Sequence, residues 1–407
     1  LLCKLISLMK KYASLISILI VLATIYWSFS DLKPSISSQK ELLQTGFSLD
    51  SALFHLKKIS QKQHYVGSEG HKEVQKYLVT ELEKLGFEVE IQQKVAVNKK
   101  WFAATNTENI IAKLNGTSSG KSLLLLSHYD SAMFSALGAS DAGSGVVTIL
   151  EGIRAFLAKN AAHKNDIILL FTDAEELGLL GAQAFVGHHP WAKNVGLVLN
   201  FEARGSGGPS YMLLETNGKN SKLVTEFLAA KPNFPAANSL MYSIYKMLPN
   251  DTDLTIFRAN ASINGFNFAF IGDHFDYHTA QDSFERMDHE SLLHQADYLM
   301  TLLPYFANSN LENLNSAEDF VYVNFPFIGM LTFSFSWVLP LCFIATFLFL
   351  GILFFGIALN KITVKGLLKG FIPFLLSTFL AGGISFLLWR LIVLIHPHYK
   401  DILHGFT

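Results

Sequence analysis

DIILLFTDAEE, residues 166–176, decides the fold. Its apolar first part reads as a strand buried on both faces. It runs directly into Thr172-Asp173-Ala174-Glu175-Glu176, so the carboxylates sit where that strand ends. The same unit recurs on either side. SLLLL (122–126) runs into Ser127-His128-Tyr129-Asp130, and VGLVLN (195–200) runs into Phe201-Glu202. Helical stretches over 144–159 and 177–186 separate these strands. Further strands are predicted over 87–97, 109–114, 211–215 and 267–271. Further helices are predicted over 48–59, 70–85, 223–230, 252–258 and 290–306. Apolar strands with helices between them predict an α/β fold, a mostly parallel mixed sheet with helices on both faces. Open sheets of this kind bind ligands beyond the carboxyl ends of their strands.

Composition limits what surrounds that sheet. Across 407 residues half are hydrophobic and 16% are charged, where a soluble chain averages about 25%. Part of the chain therefore belongs in lipid. Lys+Arg 32 against Asp+Glu 33 leaves a net charge of −1, with no basic field for nucleic acid. Two cysteines, Cys3 and Cys342, exclude a disulfide framework and a cysteine-rich zinc module.

The apolar excess is concentrated at the two ends. Residues 12–29 carry no charge and follow Lys4, Lys10 and Lys11. A signal peptide fits the same pattern, but Ser28-Phe29-Ser30-Asp31 is a poor cleavage site, which favours a retained anchor. Residues 327–359 are uncharged, and 367–395 carry only Lys369 and Arg390; these predict two more membrane helices, with a re-entrant or interfacial start around 325–335. Lys361, Lys365 and Lys369 mark the loop between them as cytoplasmic, as the N-terminal lysines mark the N-terminus. Three parts follow: a stub and transmembrane anchor over 1–30, an extracytoplasmic domain over 31–310, and a linker with at least two transmembrane helices over 311–407. The initial Leu1 and the thin membrane region predict that the chain is partial or processed, with further spans beyond it.

The chemistry lies at the strand ends. Asp141 lies in GASDAGSG before a helix, and NFAFIG leads into Gly272-Asp273-His274-Phe275-Asp276-Tyr277-His278. Histidines and carboxylates without cysteine suit zinc foremost. A bridging carboxylate, two more ligands per metal and a separate base would make a two-metal site, and the sequence supplies that number of parts. Adjacent Glu175 and Glu176 point different ways, so one can ligate while the other takes a proton. Asp130, two residues after His128, faces the same side and can hold the imidazole's other N–H. Taken singly, each feature has a plainer explanation: a surface histidine, a solvated helix start, a turn at Asp141. Their joint placement at strand ends outweighs these. His163, His188, His189, His289 and His294 lack such a setting, and His274 is ambiguous.

SHYDS, GASDAGSGV, DAEELGLLGA, NFEARGSGG, NDTDLTIF and YHTAQDS, in that order, resemble the co-catalytic zinc aminopeptidases of metallopeptidase family twenty-eight over about residues 50–305. With the flanking apolar segments, the chain is most similar to the membrane branch of vacuolar membrane proteases and endoplasmic-reticulum metallopeptidases. The resemblance implies a zinc exopeptidase-like fold and two zinc ions per chain. Asp141 would bridge them, His128 and Glu202 would complete one, and Glu176 and His278 the other. Glu175 would be the catalytic acid and base, and Tyr277 would hydrogen-bond the substrate carbonyl. Asp130, Asp253 and Asp282 would support the ligands from behind. Many members have Asp after the bridging residue, often across a cis peptide; here that position is Ala142.

The expected activity is peptide hydrolysis, releasing N-terminal residues. A carboxypeptidase would need a basic pocket, for which Arg204 and Arg258 are candidates. A glutaminyl cyclase normally uses one zinc. A non-catalytic receptor-like scaffold would have lost ligands, and all are present. A transporter would need more intramembrane polar residues. Asn115, Asn250 and Asn260 begin glycosylation sequons.

Overall fold

A computed structural model describes residues 2–30, 32–35, 45–133, 135–248, 251–325 and 329–397; of these, the side chains of 2–11 and 14 are outside the description. The expectations that rest on Asn250, on the side chains of Cys3, Lys4, Lys10 and Lys11, and on the polar end 398–407 fall outside it. The chain divides into two compact units, Leu1–Phe333 and Ser334–Thr407.

The first unit opens with helix α1, Leu2–Ser30, whose described side chains from residue 15 onward are largely exposed. Helices α2 (Leu49–Ile59) and α3 (Glu69–Lys84) start at Ser48 and Ser68, whose hydroxyls accept the free amides of Ser51 and His71. Strands β1 (Val89–Asn98) and β2 (Ala103–Leu114) form a ribbon. Then come β3 (Ser122–His128), α4 (Gly145–Ala158), β4 (Ile167–Thr172), α5 (Leu180–His188), β5 (Val195–Ala203), β6 (Gly207–Glu215), α6 (Ser221–Ala230), α7 (Ser239–Met247), α8 (Asp253–Ala261), β7 (Asn264–Gly272) and α9 (His289–Phe306).

Seven strands make one mixed sheet in the order β1-β2-β4-β3-β5-β7-β6. The central four, β4-β3-β5-β7, are parallel; β1, β2 and β6 add antiparallel edges. The apolar runs alternate strictly between the faces. Leu123, Leu125, Ile167, Leu169, Leu197 and Leu199 pack under α2, α3, α4 and α9. Leu124, Leu126, Ile168, Leu170 and Val198 pack against α5 and α8. Burial on both faces is why these strands read as continuous apolar runs.

Close approach of α4 to the sheet depends on Gly145. A Cβ there would lie 2.4 Å from the carbonyl oxygen of Phe201 and 2.5 Å from Ser127 Oγ. Neither can give way, because both belong to central strands. Gly145→Ala is expected to cost about 1–3 kcal/mol, lowering the thermal midpoint of the full chain in detergent; an unchanged midpoint would contradict this packing.

Two expectations are corrected. The helix expected from 177 begins at Leu180, so Glu175 and Glu176 occupy a tight loop and not a helix start. The boundary expected at 310 lies inside the folded unit: Leu311, Leu314 and Tyr322 are buried in its core. Around 325–335, where a re-entrant or interfacial start is expected, β8 (Phe320–Phe325) and β9 (Gly329–Ser334) pair as a two-stranded sheet.

The second unit contains α10 (Val338–Ala358) and α11 (Val364–Ile395). Both belong to stretches long and apolar enough to cross a bilayer, Phe335–Ala358 and Val364–Ile395, and neither has a buried side chain. The apolar part of α1, Leu15–Ser30, is shorter.

Candidate active site

The catalytic edge is built where strands stop. His128 is the last residue of β3 and Glu202 the penultimate residue of β5, so parallel pairing sets them on one edge. Asp141 and Ala142 interrupt the wide, π-type helical turn Ala139–Ser144 that leads into α4, and their peptide is cis. Glu175 and Glu176 follow β4. His278 follows β7 with φ of 56°, a left-handed conformation uncommon for a residue with a side chain. Ala174, just before the paired glutamates, has φ of 57°.

These pieces converge. Asp141 Oδ1 lies 3.1 Å from His128 Nε2, and Asp141 Oδ2 lies 3.2 Å from His278 Nε2. Glu202 Oε2 is 3.4 Å from His128 Nε2, and Glu176 Oε2 is 3.0 Å from His278 Nε2. Ligand atoms of His128, Asp141 and Glu202 lie within 4.8 Å of one another, as do those of Asp141, Glu176 and His278, and those of His128, Glu175 and Glu176. One carboxylate thus presents an oxygen to each of two clusters.

Three aspartates hold this arrangement. Asp130 accepts the backbone N–H groups of Glu175 at 3.1 Å and Glu176 at 3.2 Å. Its own carbonyl oxygen, 2.9 Å from His128 Nδ1, is the closer partner of the imidazole; its carboxylate is 3.6 Å away. The carboxylate expected to orient His128 stands near that imidazole and also shapes the glutamate loop. Asp282 accepts Ser140 N–H at 2.7 Å and Asp141 N–H at 3.2 Å, clamping the turn. Asp253 accepts the hydroxyl of Thr172 at the end of β4.

The electrostatics are those of a carboxylate nest. Burial pushes Glu175 well above the usual carboxyl range, helped by Glu202, Asp253 and Glu176, while His128 works against it. Burial and Asp141 raise Glu176 to about 7, offset by His278. Burial likewise raises Asp253 and Asp282 to about 7. Burial opposes charge on the two imidazoles, but their carboxylate neighbours win: His278 rises to about 10 and His128 well above its ordinary value. Asp141 is held low by the same two imidazoles in spite of burial.

A divalent cation fits these residues. Glu176 Oε1 and Glu202 Oε1 are buried with no hydrogen-bond partner among the described residues, a costly state for carboxylate oxygens unless something else satisfies them. The donors are imidazole nitrogen and carboxylate oxygen, the set that zinc accepts. A metal needs neutral imidazole, so its binding displaces protons. With both imidazoles held protonated at neutral pH, zinc added to chelator-stripped protein at pH 7 is expected to release at least one proton, and apparent affinity rises with pH up to about 10. Calorimetry in buffers of different ionisation enthalpy measures this; release of none would contradict the charge state described.

Other expected residues are placed plainly. Tyr277 is half-buried, its ring 3.7 Å from that of His278. Arg204 lies 5.6 Å from the Tyr277 ring centre and donates to the Asp251 carbonyl at 3.1 Å. Arg258 is elsewhere, paired with Glu215. His274 is exposed against Phe275, and His294 is buried between Ser210 N–H and the Phe234 carbonyl. The sequence reading passed over His71. Its Nε2 sits 2.8 Å from Asp173 Oδ1, and its ring stacks on Tyr129, behind the glutamate loop. Nothing in the spacing of α3 signals that pairing.

The model of peptidase family M28 matches residues 109–303. A vacuolar membrane protease of Candida tropicalis is 30% identical over 318 residues, covering 74% of this chain and 34% of that protein. Human endoplasmic reticulum metallopeptidase 1 is 30% identical over 229 residues, covering 56% of this chain and 25% of that protein. The chain spans about a third or less of the length of these curated relatives. Among solved structures, an aminopeptidase from Aneurinibacillus sp. strain AM-1 is similar with a TM-score of 0.52 at 14% identity, covering 67% of this chain and 97% of that one. A Porphyromonas gingivalis glutaminyl cyclase gives 0.51 at 22% identity, covering 64% and 97%. Both share the fold. Sequence, sheet and matched family agree: residues 109–303 of this chain form a peptidase family M28 domain.

Proposed function

We propose that this chain is the peptidase part of a membrane-anchored zinc exopeptidase that releases N-terminal residues from peptides. The observation that carries the two-metal reading is Asp141, whose two oxygens face two imidazoles at 3.1 and 3.2 Å. Asp141 would be shared by two zinc ions, His128 and Glu202 completing one and Glu176 and His278 the other. Zinc bound there supplies Lewis acidity, polarising the scissile carbonyl and making water a nucleophile near neutral pH.

The rest falls to the chain's own side chains. Glu175 is the carboxyl next to the ligands that none of them needs. Burial raises its proton affinity, so it can take a proton from the attacking water and return it to the leaving amine. Burial holds the Tyr277 phenol well above its ordinary value, with Arg204 opposing. It therefore stays protonated and able to donate to the carbonyl oxygen as charge develops there. Glu202 and Glu175 are the acidic groups that could receive a free amino terminus.

The membrane reading adds orientation. The name of one relative, a vacuolar membrane protease, places it in a membrane, and the two long apolar helices here suit one. Lys4, Lys10 and Lys11 in the first part of α1, and Lys361, Lys365 and Lys369 around the start of α11, support a peptidase domain on the far side of the membrane from the cytoplasm.

The test is a panel of free, N-acetylated and N-terminal glutamine peptides, assayed with zinc removed and restored. Unblocked peptides are expected to lose their first residue in a zinc-dependent way, and acetylated ones to resist. Equal cleavage of both would reject the exopeptidase class; cyclisation without hydrolysis, with one zinc per chain, would favour a cyclase.

A further inference from the structure

The β1–β2 ribbon outruns the sheet on the catalytic edge. Its last pairing with β4 is Ile110 with Phe171, yet its own pairing continues to Asn98 with Ala103. Residues 103–109 therefore project about 20 Å past β4, at about 3.3 Å per residue. The tip is tied down beside the site: Asn98 Nδ2 donates to the Gly178 carbonyl at 2.8 Å, and Lys100 Nζ lies 3.4 Å from Asp251 Oδ2. It reads Lys99-Lys100-Trp101-Phe102, with Phe102 96% exposed and Trp101 49%.

Helix α7 continues the same patch. Leu240, Ile244 and Met247 stand at i, i+4 and i+7, all exposed, and exposed Leu248 follows. Asp251, three residues further on, is the residue Lys100 reaches, so the ribbon tip and the end of α7 are neighbours. Single exposed apolar residues are ordinary. Trp and Phe grouped with an outward apolar helix stripe and lysines (Lys99, Lys246) are the composition of a membrane-interface element.

The end of α1 meets the domain on this edge too. Tyr26 and Trp27 lie in its last turns. Lys33, three residues beyond Ser30 and next to Leu32, whose N–H donates to the Phe29 carbonyl, pairs with Asp288 at 2.5 Å and Glu290 at 3.0 Å. Asp288 N–H donates to the Ser206 carbonyl at 2.7 Å, four residues past Glu202.

We propose that the catalytic edge docks on the bilayer that α1 enters, with Trp101, Phe102, Met247 and Leu248 seated at headgroup depth and Lys99 and Lys246 against anionic headgroups. The proposal rests on α1 being a membrane helix. Its consequence is that the site is approached along the membrane surface, favouring peptides whose ends lie at that interface.

The full chain, with Cys3 and Cys342 changed to Ser, is reconstituted in phosphatidylcholine–phosphatidylserine vesicles. An environment-sensitive fluorophore is placed through F102C, M247C or S119C in turn; Ser119 is exposed in the loop before β3, at the opposite end of the sheet. Spin-labelled lipids are expected to quench the probes at 102 and 247 at least twofold more than the probe at 119, shallow spin labels more than deep ones, and more so as the serine lipid increases. Equal quenching at all three sites in protein that resists alkaline carbonate extraction would overturn docking alone. So would water-shielded emission at 102 without lipid quenching, which would seat a second copy or a peptide there. Release of the protein by carbonate would overturn the membrane reading and docking together.

Discussion

Glu175→Gln is expected to keep zinc at the level of the unaltered chain and to lose turnover by about 100- to 10,000-fold, the range a positioned acid–base group contributes. The amide fills the same space and leaves His128, Asp141, Glu176, Glu202 and His278 in place. The neutral amide adds no charge to a nest in which burial, Glu202, Asp253 and Glu176 already favour the uncharged form of Glu175. Metal content by elemental analysis and kcat on an unblocked peptide read the two effects separately. Retention of more than a few per cent of kcat would refute the role. Loss of metal together with activity would make Glu175 a ligand instead.

Asp141→Ala should act on the metals first. Asp141 is the only group within 3.2 Å of both His128 Nε2 and His278 Nε2 among the described residues. Its removal leaves two imidazoles that its carboxylate helped to hold protonated, and two half-built clusters. At least one zinc per chain is expected to be lost. The affinity cost should exceed the roughly 10–100-fold typical when a supporting partner of a ligand is removed. Activity should fall to the level of the chelated protein. An unaltered zinc content would show that the two clusters do not share this carboxylate.

Much of this was legible because buried parallel strands announce themselves. DIILLF, SLLLL and VGLVLN have lipophilic residues on both faces, so their ends, and the polar residues there, could be located by number. Helices α2 and α3 were legible through their periodicity and, for α3, through the stop at Gly86, where φ is +89°. Helix α7 was not, since its apolar stripe faces outward and the residues before it are irregular. The strand holding Tyr322 was not, because its alternation merges into the apolar helices that follow.

Alone, the sequence determined the sheet, the edge on which chemistry would sit and the residue types gathered there, since strand periodicity and residue chemistry are local properties. Only the tertiary structure decided which oxygen faces which imidazole, that Asp130 binds the glutamate loop through its carboxylate and His128 through its carbonyl, and that His71 stands behind Asp173. These pairings join residues as far apart in the chain as Asp141 and His278. No spacing rule reaches that far; they follow from how the strand ends are stacked side by side and which loops that stacking presses together.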